Sequence, residues 1–207
     1  MQIIPYIESE TDSLPERATK VVINSHNWSD SYPYAPEITA YLWHNNKSIY
    51  IEYIVDENHV TACVDQDNGK VHNDSCVEFF ISFGTPGYYN IEANCIGKIL
   101  FSHRIGRKID VEYASQEILD SIIRNSSLGS MPFSCRKADG KWSLRLQIPV
   151  NVFFKDNIDS LSGKEAKCNF YKCGDNLPYP HFMSWQPVET PEPDFHRPEF
   201  FGSIKFE

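Results

Sequence analysis

Nothing in the chain could cross a bilayer as a helix, because it contains no apolar run of about 18 residues or more. Its opening segment, MQIIPYIESE, has neither a basic stretch nor a long apolar one, so no secretory signal is expected. A cytoplasmic location is then the default reading, with a periplasmic or extracellular one if the natural N-terminus is longer. Cationic side chains are in short supply: 19 Lys and Arg stand against 28 Asp and Glu, for a net charge of −9. That balance repels a phosphate backbone and an anionic membrane surface, and leaves neutral or cationic small molecules as ligands. The six cysteines, Cys63, Cys76, Cys95, Cys135, Cys168 and Cys173, include no CxxC spacing, which argues against a zinc ribbon or a thioredoxin-like site. Mostly reduced, structural thiols are expected. Internal repeats, low-complexity tracts and Pro/Ser linkers are also missing, so residues 1–207 read as a single domain.

Strand-forming residues are plentiful instead. Aromatics reach 14% of 207 residues, and 13 Pro with 10 Gly spread along the chain favour many turns over long helices. Residues 38–45 and 48–55 alternate in polarity on either side of Asn46-Lys47 and predict a hairpin. Residues 76–83 and 88–96 predict a second, turned by Gly84-Thr85-Pro86-Gly87. Further strands are expected at 60–64, 98–105, 141–149, 166–174 and 202–207. One helix is expected over 115–124, with Ser115 as its N-cap and Ile118, Leu119, Ile122 and Ile123 on one stripe. The pattern as a whole predicts an all-β, antiparallel sandwich of jelly-roll type with one short helix.

Chemistry enters at NDSCVEFFISF, residues 73–83, where Glu78 interrupts an apolar run. Side chains at i and i+2 share a strand face, so Val77, Phe79 and Ile81 form one row and Cys76, Glu78 and Phe80 the other. Pairing with residues 88–96 brings Glu78 beside Glu92 and Asn94 on a polar sheet face. Residues 169–202 then run without helix or strand periodicity until their end, yet are rich in aromatic residues, the composition of a functional loop. Trp185 in that loop could give a flat apolar face beside convergent polar groups, the combination a sugar ring requires.

These segments, NDSCVEFF, YYNIEANCIG, NFYKCGD, PHFMSWQPV and DFHRPEFFG, in this order resemble the family 9 carbohydrate-binding modules, and especially family-9-like proteins of Bacteroidetes, over residues 35–207. The resemblance implies a β-sandwich that binds gluco- or xylo-type saccharides non-catalytically, in carbohydrate catabolism and often alongside a separate glycoside hydrolase. It implies that Glu78 is the sugar-binding Glu of a D-S-x-x-E strand, with Glu92 and Asn94 supplying polar contacts. Asn169 and Lys172 match an N-x-x-[RK] segment, and Trp185 matches one wall of an aromatic clamp. His72 occupies the position of the other wall, where the family usually has Trp.

Three rival readings remain. Glu78 and Glu92, with Asp74 nearby, could be the carboxylate pair of a glycoside hydrolase. Asp194, His196 and Arg197 lack an accompanying nucleophile motif, and DFHRPEFFG reads better as a lock, with Phe195, Phe200 and Phe201 inward and Asp194 and Arg197 holding the loop. No cofactor is expected; a structural Ca²⁺ at Asp65, Asp67 and Asn68 is conceivable, although the EF-hand register fails at Gly69 and Cys76. His181, His196, Asp194 and Glu192 share a loop but have no metal-ligand spacing. A scaffold without a small ligand would instead need Trp185, Tyr88 and Tyr179 to be core or partner-facing.

Overall fold

The computed structural model of the protein describes residues 1–8 and 13–207. Its first strands are β1 (Gln2–Ile4), β2 (Thr19–Val22), β3 (Glu37–His44), β4 (Ser48–Asp56) and β5 (His59–Ala62). The strands β6 (Cys76–Ser82), β7 (Tyr88–Asn94), β8 (Ile99–Arg104) and β9 (Glu112–Tyr113) follow, then the helix α1 (Gln116–Ser121). The second half holds β10 (Ile123–Ser126), β11 (Phe133–Lys137), β12 (Trp142–Pro149), β13 (Glu165–Cys173), β14 (Phe182–Ser184) and β15 (Gly202–Phe206). An eight-stranded sheet runs β1-β15-β13-β6-β7-β8-β9, with β14 added beside β13; a five-stranded sheet runs β10-β12-β4-β3-β2; β5 and β11 make a small third sheet.

The expected hairpins form. Strands β3 and β4 pair from Glu37↔Asp56 to His44↔Ile49, and β6 pairs with β7 so that Glu78 lies opposite Glu92. Between the two large sheets, alternate side chains interlock in one apolar core that includes Val77, Phe79 and Ile81 of β6 and Trp142, Leu144, Leu146 and Ile148 of β12. On β12 the pattern is strict: inward residues are buried, while Ser143, Arg145 and Gln147 are half-buried on the other face. Arg145 donates across the strand pair to Glu52 at 2.9 Å. Inside the sandwich the Tyr53 hydroxyl donates to the Glu78 carbonyl oxygen at 3.1 Å, tying the two sheets together at β6.

Several expectations need correction. The helix is shorter than 115–124: Ser115 does cap it, accepting from the Ile118 amide, but the chain turns extended at Ile122 and pairs as β10 with β12. Strand pairing and the capture of Arg124 by Asp67, at 2.6 Å, outweigh the apolar stripe, and Ile123 ends half exposed. Not all pairing is antiparallel, since β1 joins β15 in parallel. The calcium reading of Asp67 gives way too, because both its carboxylate oxygens accept from Arg124 while Asn68 accepts from the Phe101 amide.

A second apolar cluster lies on the outer face of the eight-stranded sheet. Cys76 and Phe80 of β6, Tyr88 of β7, Leu100 of β8 and Tyr171 and Cys173 of β13 all point there. Trp28, Val188, Phe195 and Phe201 close over them from the N-terminal segment and the C-terminal tail. A sheet face that alternation alone would leave to water is therefore roofed, and Glu78 and Glu92 are roofed with it.

Candidate functional site

Under that roof a gap remains, a cavity of about 240 Å³ whose lining includes Glu78, Glu92, Cys173 and Arg104 from the sheet. Glu78 is 3% exposed and Glu92 5%, so both carboxyls form a buried floor rather than a solvated face. Glu92 is held on two sides: Asn90 Nδ2 donates to its Oε1 at 2.9 Å, and His72 Nδ1 lies 3.4 Å from its Oε2. Asn90 in turn accepts from the Ser102 hydroxyl at 2.6 Å, and Arg104 donates to the same hydroxyl oxygen. Alternation on β7 and β8 makes this relay possible, because residues 90 and 92 and residues 102 and 104 share one face. Glu78 is more poorly served; its Oε1 accepts from the Cys173 thiol at 3.2 Å.

The electrostatics follow from this geometry. Burial, then the neighbouring Glu92 charge, push the Glu78 carboxyl well above the ordinary carboxylate range. The hydrogen bond to Glu92 raises the His72 imidazole above its usual value, against the opposing effect of burial. Burial also raises Asp175, which lies at the edge of the same cavity. His196 goes the other way: burial first, then Arg104 and Arg107, bring it down to about 3, so it stays neutral and pairs through Nδ1 with the Tyr88 hydroxyl at 3.0 Å.

Aromatic walls come from the tail. Strand β14 pairs Cys173↔Phe182, Lys172↔Met183 and Tyr171↔Ser184, so Phe182 falls on the cavity side and Met183 on the core side. Phe195 stacks on Tyr171 at 4.2 Å between centroids, and the Tyr171 hydroxyl donates to its carbonyl oxygen. Trp28 stands behind both walls, 6.3 Å from Phe182 and 5.9 Å from Phe195, with its indole N–H donating to Thr190 O at 2.7 Å. The DFHRPEFFG segment locks much as expected, with Arg197 2.8 Å from Asp194 and Phe195 and Phe201 buried, while Phe200 packs against the cluster only half-buried.

Of the seven residues singled out in the sequence, His72, Glu78 and Glu92 come together at the cavity. The other four do not line it. Asn94 donates to Asp74 and to Val64 O and accepts from the Lys98 amide, locking a turn. Asp74, the first residue of the D-S-x-x-E strand, uses both oxygens on the Cys63 and Val64 amides. Asn169 exchanges hydrogen bonds with both the amide and the carbonyl of Gln186, which extends the β13–β14 pairing. Lys172 points to the opposite face of β13, fully buried, 3.0 Å from Glu57 and 2.7 Å from His181 Nε2. Trp185 packs edge-on to Phe170 at 5.7 Å and lies so close to Gly202 that a Cβ there would come within 2.8 Å of its ring. Parity is the reason: three residues past Phe182, Trp185 takes the other side of the strand, and the three-residue β14 was too short to be read from periodicity.

The cavity is also lined by Arg104, Phe182, Phe195 and Asp175, which the sequence did not single out as candidate ligand contacts. Arg104 could have been found from the alternation of residues 98–105, since it falls on the same face as Ser102. Phe182 needed the register of β14, which only the fold supplies. His181 and His196 prove to be far apart in role, the first bonded to Lys172 and the second to Tyr88.

A β-sandwich whose outer sheet carries a small cavity with an acidic floor and aromatic walls belongs to the class of ligand-binding modules. Comparison with known proteins narrows that class. The model of carbohydrate-binding family 9 matches residues 11–206, and the chain belongs to that family. A Bacteroides uniformis protein of known crystal structure, provisionally described as carbohydrate-binding, is 38% identical over 100% of this chain and 99% of its own, with a TM-score of 0.90. Two structures of a family 9 module from Caldicellulosiruptor kristjanssonii share the fold. The complex with glucose is 11% identical (TM-score 0.64, 99% of this chain and 94% of that one), and the complex with cellotriose 9% identical (TM-score 0.60, 100% and 93%). No curated protein matches. The hydrolase alternative finds no support in the family match. Glu78 and Glu92 also stand side by side in one floor, not on opposite sides of a cleft that could hold a scissile bond between them.

Two outcomes test this geometry. Lys172→Met leaves Glu57 buried without its partner, so chemical denaturation should show a loss of about 3–5 kcal/mol, whereas a solvent-facing ligand residue would cost almost nothing. Because burial raises the Glu78 carboxyl, the folded protein keeps this proton to higher pH than the unfolded chain does, so the fold weakens as pH rises from the ordinary glutamate value through the raised one. Thermal melts of Glu78→Gln against wild type should therefore converge in acid and diverge in favour of the variant as pH rises; a gap independent of pH would contradict the raised Glu78 value.

Proposed function

We propose that the protein binds a neutral saccharide of gluco or xylo type in this cavity, without cleaving it. The observation that carries the reading is the pairing of two buried carboxyls, Glu78 and Glu92, with the aromatic walls Phe182 and Phe195 in one small cavity. A pyranose offers hydroxyls that donate to carboxylate oxygens and accept from guanidinium N–H groups, and C–H faces that pack on aromatic rings. Glu92 accepts, Arg104 and Arg107 donate, and a protonated Glu78 does either. The volume lies below the roughly 300–1,000 Å³ of sites for drug-sized ligands, so one terminal ring or a monosaccharide suits it better than the middle of a chain. Hydroxyl recognition needs no formal charge on the ligand, and the site offers both kinds of partner for it, carboxyls that accept and two arginines that donate. A separate glycoside hydrolase, producing such chain ends, is the natural companion.

Each net hydrogen bond contributes about 0.5–1.5 kcal/mol and a ring stack a similar amount, so dissociation constants between micromolar and millimolar are expected. Isothermal titration with glucose, xylose, galactose and their β-linked disaccharides should find at least one such ligand. Phe182→Ala and Glu78→Gln should each weaken it by about tenfold or more, near 1.4 kcal/mol. Trp185→Ala should leave the affinity within about threefold while lowering the melting temperature. Silence across the sugar panel, or a loss of binding that follows Trp185 and not Phe182, would contradict the assignment.

A further inference from the structure

The floor of the cavity holds two thiols that saccharide binding does not use, beside a carboxyl that it does. Cys76 and Cys173 are direct cross-strand partners on β6 and β13, both on the cavity face, and Glu78 follows two residues after Cys76 on that same face. The two thiol sulfurs and a Glu78 carboxylate oxygen all lie within 4.8 Å of one another, with Glu78 Oε1 3.2 Å from Cys173 Sγ. All three residues are buried, and Glu78 and Cys173 border the cavity.

We propose that Cys76, Glu78 and Cys173 form a binding site for a thiophilic divalent cation of the zinc type, its fourth position open to the cavity. Donor atoms around a tetrahedral zinc with bonds of about 2.0–2.3 Å stand roughly 3.3–3.8 Å apart; Glu78 Oε1 and Cys173 Sγ already stand at 3.2 Å, and the widest donor pair, within 4.8 Å, must close by up to about 1–1.5 Å. Two sulfurs with one carboxylate select zinc-like cations over Ca²⁺ or Mg²⁺, which prefer oxygen alone. Three protein ligands and one open position is the arrangement of a site that accepts water or a ligand hydroxyl as its fourth partner. A cation also answers the weak point of the floor, because a buried carboxyl served by a thiol donor alone is poorly compensated. On binding, each thiol gives its proton to solvent, so the apparent affinity rises with pH. Burial holds the Cys76 thiol up at about 12 in the metal-free protein, and the cation must displace that proton. Arg104 offsets part of the added negative charge. The two sites share Glu78, but the metal reading rests on the thiols and the sugar reading on the aromatic walls, so either can fail alone.

The test uses the full chain, reduced and freed of metal with a chelator that is then removed, and cobalt(II) as the probe. One cobalt ion per chain is expected, with thiolate-to-cobalt charge-transfer absorption that zinc abolishes by displacement. Cys76→Ser and Cys173→Ser should each weaken cobalt by more than about 100-fold, beyond the 10–100-fold typical of outer partners. A double variant of the exposed Cys63 and Cys135 should keep the full signal. Since a buried Cys→Ser change can unfold the sheet, zinc-edge X-ray absorption on the unmutated protein supplies the second reading: two sulfur neighbours at about 2.3 Å and oxygen near 2.0–2.2 Å. Sugar titrations with and without zinc keep the two readings separate. The proposal is overturned if no stoichiometric charge-transfer band forms, if the band follows Cys63 and Cys135, if zinc shows oxygen and nitrogen neighbours without sulfur, or if a Cys76–Cys173 disulfide forms in preference to metal binding.

Discussion

Two carboxyl groups held under a roof of aromatic side chains are the constraint on which the rest of this molecule depends. An antiparallel sheet ordinarily gives one face to its partner and the other to water. Here the outer face is covered by the tail and the segment around Trp28, and the cover is bought with specific devices: Tyr171 stacked on Phe195, Trp28 bonded to Thr190 O, and Arg197 on Asp194. The cover stops short over Glu78 and Glu92, and the cavity is what remains. Without the tail the same residues would be an unremarkable solvated strip; with it they sit in a medium where a hydroxyl donor or a cation gains far more than it would in water.

Stability and the proposed sugar binding pull against each other at Glu78. Its burial works against the fold whenever it ionises, and its neighbour Glu92 adds to that strain. The molecule offsets this with attachments placed away from the cavity. Lys172 and Glu57 form a fully buried pair to which Trp142 and His181 add hydrogen bonds, fixing the back of β13 and the start of the tail loop together. Tyr53 fixes the backbone of Glu78 from inside the sandwich. The site is therefore presented by strands whose other faces are firmly packed.

Much of this was legible in the sequence. Alternation of polarity located the central strands of both sheets, and the cross-strand neighbourhood of Glu78 and Glu92 followed from pairing two adjacent segments. The resemblance to family 9 modules pointed to the right family. What could not be read were long-range choices between equally good local options. The stripe of isoleucines at 118–123 satisfies a helix, but Arg124 meets Asp67 only after the chain has folded back. Asn94, Asn169 and Lys172 have the chemistry of ligand contacts, yet each found a backbone or buried partner within the fold. Trp185 was placed by residue type, whereas its position was decided by the parity of a three-residue strand. Phe182, the residue that parity favours, carries no distinguishing mark in the sequence.

The most direct test of the account is a crystal structure of the protein with a bound gluco- or xylo-saccharide. It should show one sugar ring over Glu78 and Glu92, flanked by Phe182 and Phe195 and within hydrogen-bond reach of Arg104. A ring stacked on Trp185, or on any face outside the roofed cavity, would contradict it.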